Sequence, residues 1–178
     1  MPDADILEFL FSTTATIIAT LTGLIGVFST FRLQNINSEI SLLKDLILHR
    51  KLDGLPSLNE YITGESYHLL EKVYDRNNAS IDLLDKIIQK HNLGEKSNEF
   101  EYDLSNLRTN QKSYDTIKGM TIRSFALSLS FVLGSLILLV FTNSILNVQG
   151  FYWYTAIYFL LIAILLFLYV TQIAKLIE

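Results

Sequence analysis

The sequence predicts an all-α membrane protein with three transmembrane helices and a small helical cytoplasmic domain between the first and second. Three observations carry this. No charged residue stands between Glu8 and Arg32, and none between Arg123 and Lys175. A hydrocarbon core roughly 30 Å thick takes about 20 helical residues, so the first run makes one crossing and the second makes two. Asn143, Ser144, Asn147, Gln149 and Gly150 interrupt the second run where a tight turn should fall. The spans therefore sit near residues 9–31, 124–145 and 151–173. They divide the chain into an N-terminal transmembrane helix with a short outer tail (1–33), a cytoplasmic helical domain (34–122), and a C-terminal transmembrane hairpin with a short inner tail (123–178).

The first span reads FLFSTTATIIATLTGLIGVFSTF, with eight Ser and Thr residues. At about 100° per residue, Ser12, Ala15, Thr16, Ala19, Thr20, Thr22, Gly23, Gly26, Ser29 and Thr30 share one half of the helix. Leu10, Ile17, Ile18, Leu21, Leu24, Ile25, Phe28 and Phe31 share the other. Hydrocarbon offers a hydroxyl no hydrogen-bond partner, so the first face is expected to meet other helices or water. An acidic start at Asp3, Asp5 and Glu8 and a long apolar run are unlike a cleaved signal peptide. The span is expected to be retained.

Thirteen of the fourteen Lys and Arg residues lie from Arg32 to Arg123, the fourteenth is Lys175, and the turn between the last two spans has none. Basic residues favour the cytoplasmic side, which predicts an outer N-terminus and a cytoplasmic C-terminus. Phe151, Tyr152, Trp153 and Tyr154 open the third span, at the headgroup depth that amphipathic rings prefer. The chain has no cysteine, which excludes a disulfide framework and thiolate metal sites and fits a multi-pass protein of the bacterial inner membrane. The middle region balances thirteen basic against fourteen acidic residues, which is no electrostatic footprint for nucleic acid.

In the middle region Ile36, Ile40, Leu43 and Ile47 recur at helical spacing directly after the first span, so that helix is expected to continue without a break. Gly54 and Pro56 mark a turn. Ser57, with Glu60 three residues on, makes a capping box for a helix through Tyr61, Leu69, Leu70 and Val73, weakened by Gly64. Asn77 and Asn78 break the chain before a helix from about Ser80 carrying Ile81, Leu84, Ile87 and Ile88. A loop from Asn92 to Asn98, including Gly94, follows. Phe100, Leu104, Leu107, Tyr114 and Ile117 then lead into the second span. The core of such a domain is thin, and oligomerisation commonly remedies that.

Catalysis finds little support. There is no phosphate-binding glycine loop, no HExxH and no nucleophile elbow. His49, His68 and His91 lie on separate predicted helices without ligand-like spacing, so no metal, cofactor or catalytic residue is expected. His49 and Arg50 are adjacent, and neighbours on a helix point about 100° apart, so they do not converge. Glu71 and Asp75, one turn apart, read as a solvated face. In the second span Ser128, Ser135 and Thr142 recur every seven residues, with Ser124 one turn before Ser128. Ser130 and Gly134 add a step of small residues that lets membrane helices approach closely. The third span is nearly all large and apolar from Ile157 to Val170, which suits lipid. The expected order is layered: third span outside, second between, polar face of the first pointing inward.

That layout resembles the small accessory membrane protein of type VI-B CRISPR systems. The similarity rests on the Thr- and Gly-rich first span TATIIATLTGLIGVFSTFRLQ, the helical cytoplasmic region, the C-terminal hydrophobic segments and the chain length. The resemblance implies a homo-oligomeric, pore-like assembly that strengthens antiphage defence by an RNA-guided RNase and perturbs the membrane after target recognition. It also implies kinship with HEPN ribonuclease domains, whose signature is Arg, four to six residues, then His. No His stands at that interval after Arg32, Arg50, Arg76, Arg108 or Arg123, so no enzyme is expected.

Three readings follow. In the first, a ring of identical subunits lines a conduit with Ser12, Thr16, Thr20, Gly23 and Thr30, with Glu8 and Arg32 as charged rings at the outer and inner mouths. Its partners are further copies, the bilayer, and an RNA-guided RNase or its products, with no DNA. In the second, the chain is an energy-transducing channel subunit resembling biopolymer-transport proteins. Intramembrane acids mark proton paths, and none of the spans holds one. The third is a membrane-anchored HEPN-like RNA-binding or RNase module. The opposing structural reading of the first span is that its small face packs on the chain's own second span. Both hold together if one part of the arc is packed and the other lines water.

Overall fold

The computed structural model describes residues 2–51, 54–65, 67–75, 77–90, 98–146 and 151–177. Among them the regular structure is entirely helical: α1 (Pro2–His49), α2 (Leu58–Glu65), α3 (Tyr67–Tyr74), α4 (Asn78–Lys90), α5 (Asn98–Val140), α6 (Thr142–Ile145) and α7 (Phe151–Ile177). The apolar runs in α1, α5 and α7 are long enough to cross a membrane. Two compact units result: residues 1–32 with 118–178, and residues 33–117. No proline interrupts the interior of α1 or α5, so each helix continues through its unit boundary. The boundary is a change of side-chain polarity, not of backbone.

In the membrane-type unit the first span turns Phe11, Ala15, Ile18, Thr22, Ile25 and Ser29 inward. Thr22 Oγ1 lies 2.6 Å from Ser128 Oγ on α5, and Thr121 donates to Ser29 Oγ at 2.8 Å. Phe11 meets Tyr158 of α7 edge-on at 5.9 Å and stacks on Phe159 at 6.0 Å between centroids. The α5 stripe of Ser124, Ser128, Ser135 and Thr142 is buried. Ser128 is hydrogen-bonded to the Tyr169 hydroxyl and Ser135 to the Tyr158 hydroxyl. The layered order expected from sequence is thus replaced by three helices in mutual contact. The physical reason is that Tyr158 and Tyr169 give the apolar third span two polar tips, which reach the serines of the second.

Gly26 permits this closeness. A Cβ there would stand 2.9 Å from the Phe125 ring, inside van der Waals contact. The large residues Leu160, Phe167 and Val170 of α7 are exposed, as lipid-facing side chains would be, and so are Trp153 and Tyr154. At the other end of α5, Asn143 and Ser144 belong to the short α6 rather than to a loop. Thr142 holds that corner by donating to the carbonyls of Leu138 and Leu139. The remaining turn positions, Asn147, Gln149 and Gly150, lie outside the described residues, as do residues 92–97 of the other expected loop.

In the helical unit the continuous first helix and the capping box appear as expected. Ser57 N–H donates to Glu60 Oε2 at 3.2 Å and Glu60 N–H to Ser57 Oγ at 3.3 Å. Gly54 takes φ 82°, a left-handed turn that glycine tolerates best. The helix expected from Ser57 through Val73 is described as α2 and α3, with residue 66 between them outside the described residues. The helix expected from about Ser80 starts at Asn78, because Asn77 Oδ1 caps the Ser80 N–H at 2.8 Å. Ile47, Leu58, Ile62, Val73, Leu84, Ile88, Phe100 and Leu104 form one core cluster, and Ile36, Ile40, Ile81 and Leu107 another.

One cation is buried between these helices. Lys44, 2% exposed, donates from Nζ to the Asp75 carbonyl at 2.7 Å, just past the end of α3, and to Ser80 Oγ at 2.8 Å, at the start of α4. Burial lowers its pKa from 10.5 to about 8, against a smaller upward pull from Asp75. Between those values the unfolded chain binds more protons, so the stability of this unit should rise as pH goes from 8 towards 10.5. Tyr74 opposes this at higher pH. Burial, with the 2.6 Å hydrogen bond to Asp45, raises its pKa from 10.0 to about 12. Its contribution is complete below the unfolded value of 10.0 and lost as pH rises towards 12. Amide-exchange protection of α3 and α4 should therefore increase above pH 8 and peak near pH 10. A flat profile would contradict the lowered pKa of buried Lys44. For the membrane-type unit, Gly26→Leu should cost about 1–3 kcal/mol by overpacking against Phe125. Gly23→Leu, where an added Cβ meets nothing within 4 Å, should leave the melting temperature of a single subunit unchanged.

Candidate functional site

The polar half of the first span splits into two parts. Ala15, Thr22 and Ser29 are buried and Gly26 is half-buried against α5. Ser12, Thr16, Ala19, Thr20, Gly23 and Thr30 are exposed. These exposed positions lie about 100–200° round the helix from Ile18, the centre of the packed side. The apolar half is divided as well. Ile18 and Ile25, expected to face lipid, are fully buried, whereas Ile17, Leu24 and Phe31 remain outside. The contact with α5 and α7 is centred on the border between the two halves, not on the middle of either.

All five expected lining residues, Ser12, Thr16, Thr20, Gly23 and Thr30, therefore share one exposed stripe. Thr16 donates to the Ser12 carbonyl at 3.0 Å, Thr20 to the Thr16 carbonyl at 2.8 Å, and Thr30 to the Gly26 carbonyl at 2.8 Å. This corrects the expectation that those hydroxyls lack a partner in hydrocarbon: their own helix supplies one. The stripe instead offers small side chains and the free lone pairs of its hydroxyl oxygens. Gly23 leaves a notch in the middle with nothing within 4 Å of where its Cβ would be.

The expected mouth residues do not behave alike. Glu8 is exposed, about 60° in helix phase from Gly23, and continues the stripe. Arg32 is half-buried and lies about half a turn from it. Helix phase does not carry Arg32 to the mouth of a lumen lined by Thr16 and Gly23. On α5, Ser130 and Gly134 sit away from the buried serines, and a Cβ at Gly134 would likewise meet nothing within 4 Å. A second small-residue step is thus left without a partner inside the membrane-type unit.

Among the described residues, His49, His68 and their neighbours form no catalytic cluster. His49 is exposed, with Nδ1 3.0 Å from the Asp45 carbonyl of its own helix. Arg50 is directed elsewhere: it donates to the Glu99 carbonyl, pairs with Asp103 at 2.7 Å, and lies 5.4 Å above the Phe100 ring. The Asp103 contact is an attraction of charges rather than an aligned hydrogen bond. Arg50 thereby ties the end of α1 to the start of α5. His68 pairs with Glu71 at 3.3 Å on an open surface, Asp75 uses its backbone carbonyl to receive Lys44, and His91 lies outside the described residues. Sequence reasoning passed over Lys44. A single lysine in a mixed-polarity helix gives no sign of burial unless its phase is compared with Ile40, Ile47 and Leu48.

Spans and site together define a helical multi-pass membrane protein with an exposed small-residue stripe on its first span. No protein-family model, curated protein or solved structure matches the chain. Its function therefore rests on its own geometry. Exposed His49 and His68 hold nothing together, so His49→Ala and His68→Ala should change stability by less than about 0.5 kcal/mol and leave any cellular phenotype intact. Loss of phenotype with normal membrane levels would restore a ribonuclease reading through residues meeting across subunits.

Proposed function

We propose that several copies of this chain assemble around an axis into a pore-like membrane effector, with the stripe Ser12, Thr16, Thr20, Gly23 and Thr30 facing a central conduit. The observation that carries the proposal is the division of the first span. Its packing requirement within the subunit is met by Phe11, Ile18, Thr22, Ile25 and Ser29, yet a continuous small polar strip remains outside. A lipid-facing surface gains nothing from such a strip. A helix-lined conduit does, because small residues leave room and hydroxyl oxygens accept hydrogen bonds from water. In this reading the chain is not an enzyme. It sits in the bacterial inner membrane with its N-terminus outside and the 33–117 unit in the cytoplasm. Its place in antiphage defence, alongside an RNA-guided RNase, follows from the resemblance to type VI-B CRISPR accessory proteins.

One observation favours a second arrangement of the same assembly. Thr16, Thr20 and Thr30 of the stripe already donate to their own backbone, so they tolerate a dry contact in which neighbouring first spans pack on one another. Conduction separates the two. A conduit lined by hydroxyls without fixed charge should discriminate weakly among small ions, with Glu8 adding a cation preference at the outer mouth. Thr20→Leu should reduce membrane depolarisation several-fold in cells supplied with the activating system while rings still form. Leu21→Ile, off the stripe, should not. Parent-like conduction by Thr20→Leu rings would make the strip a packing surface only. Light scattering that shows a single chain at micromolar concentration would remove both arrangements.

A further inference from the structure

In the membrane-type unit a cavity of about 420 Å³ opens between the start of the second span and the last turns of the third. Its rim carries two cations, Arg123 on α5 and Lys175 on α7, and its wall is formed largely by Leu127, Leu165 and Leu168. None of its lining residues is acidic, and among the described residues neither cation has an ion-pair partner. Gln172 also lines it. The amide Oε1 accepts from Ser124, while Nε2 is buried with no hydrogen-bond partner. Two cations without an acidic partner and a leucine wall call for a ligand with an anionic head and a hydrocarbon tail.

We infer that this cavity binds an anionic phospholipid, with its phosphate between Arg123 and Lys175 and one acyl chain along Leu127, Leu165 and Leu168. The position agrees. The excess of Lys and Arg puts this end of the spans on the cytoplasmic side, where basic pockets between membrane helices take anionic headgroups. The larger cavity of about 600 Å³ in the other unit has no such preference, because its Arg108 is paired with Asp85 at 2.7 Å and Glu101 also lines it. The lipid site depends on the chain crossing a membrane but not on the stripe lining a pore, so each can fail without the other.

The test is native mass spectrometry of the purified full chain released from mixed micelles. These would contain phosphatidylglycerol and phosphatidylethanolamine in equal amounts, with inorganic phosphate in a parallel sample. One phosphatidylglycerol per subunit should be retained in preference. Arg123→Gln or Lys175→Gln should each lower its retention about fivefold and the pair about thirtyfold. Lys118→Gln, which removes a nearby exposed cation that does not line the cavity, should change it less than about twofold. Because Arg123 and Lys175 are exposed, the variants should keep the parent melting temperature, which is measured alongside. Equal retention of the two lipids, parent-like retention by the double variant, or displacement of the lipid by millimolar phosphate would each overturn the assignment.

Discussion

A hydroxyl placed in hydrocarbon must find an acceptor, and the membrane-type unit depends on how its many hydroxyls do so. Those on the packed side reach across to another helix: Thr22 to Ser128, Thr121 to Ser29, and Tyr158 and Tyr169 to the serines of α5. Each such bond is worth about 1 kcal/mol in a membrane. Apolar side chains cannot drive association there, since lipid tails are equally apolar, so these bonds and close packing at Gly26 set which helices touch. Thr22, Ser128 and Ser135 also bond their own backbone, and the open-side threonines Thr16, Thr20 and Thr30 do only that. The same residue types thus build an interior on one side and leave a strip on the other.

This division makes the first span the informative element. Had the whole small face been buried on α5, the chain would be a self-sufficient three-helix unit and its Thr and Gly content purely structural. Had none of it been buried, the unit would lack its central contact. The observed intermediate leaves a subunit that is internally packed and still presents Gly23, Thr16 and Thr20 outward. The 33–117 unit is held differently: conventional apolar clusters close it, Lys44 donates to the Asp75 carbonyl just past the end of α3, and Arg50 joins the end of α1 to the start of α5.

Much of the fold was legible in the sequence, because uncharged runs, a capping box and helical spacing of isoleucines are strong local signals. The spans, the unbroken passage from Phe31 to Ile47 and the Ser57–Glu60 box follow from them. The arrangement of the spans was less legible. Periodicity puts Tyr158 and Tyr169 among large apolar neighbours and gives no hint that their hydroxyls meet Ser135 and Ser128. Nor does it show that the packed side of the first span is centred on Ile18 rather than on the threonines. Of the site, the stripe itself was readable, Arg32 was assigned to a mouth its helix phase does not reach, and the Arg123–Lys175 cavity needed two distant segments to come together.

The central claim is that the outer strip of the first span faces water in the assembled membrane protein. The chain contains no cysteine, so single substitutions read accessibility without background. Thr16→Cys, Thr20→Cys and Gly23→Cys, each in intact cells expressing the activating system, would be treated with a membrane-impermeant thiol reagent. Ile18→Cys and Leu24→Cys would serve as packed and lipid-side references. The account predicts rapid labelling at the three strip positions and protection at both references. Protection of the whole strip, or equal labelling at Leu24→Cys, would contradict it.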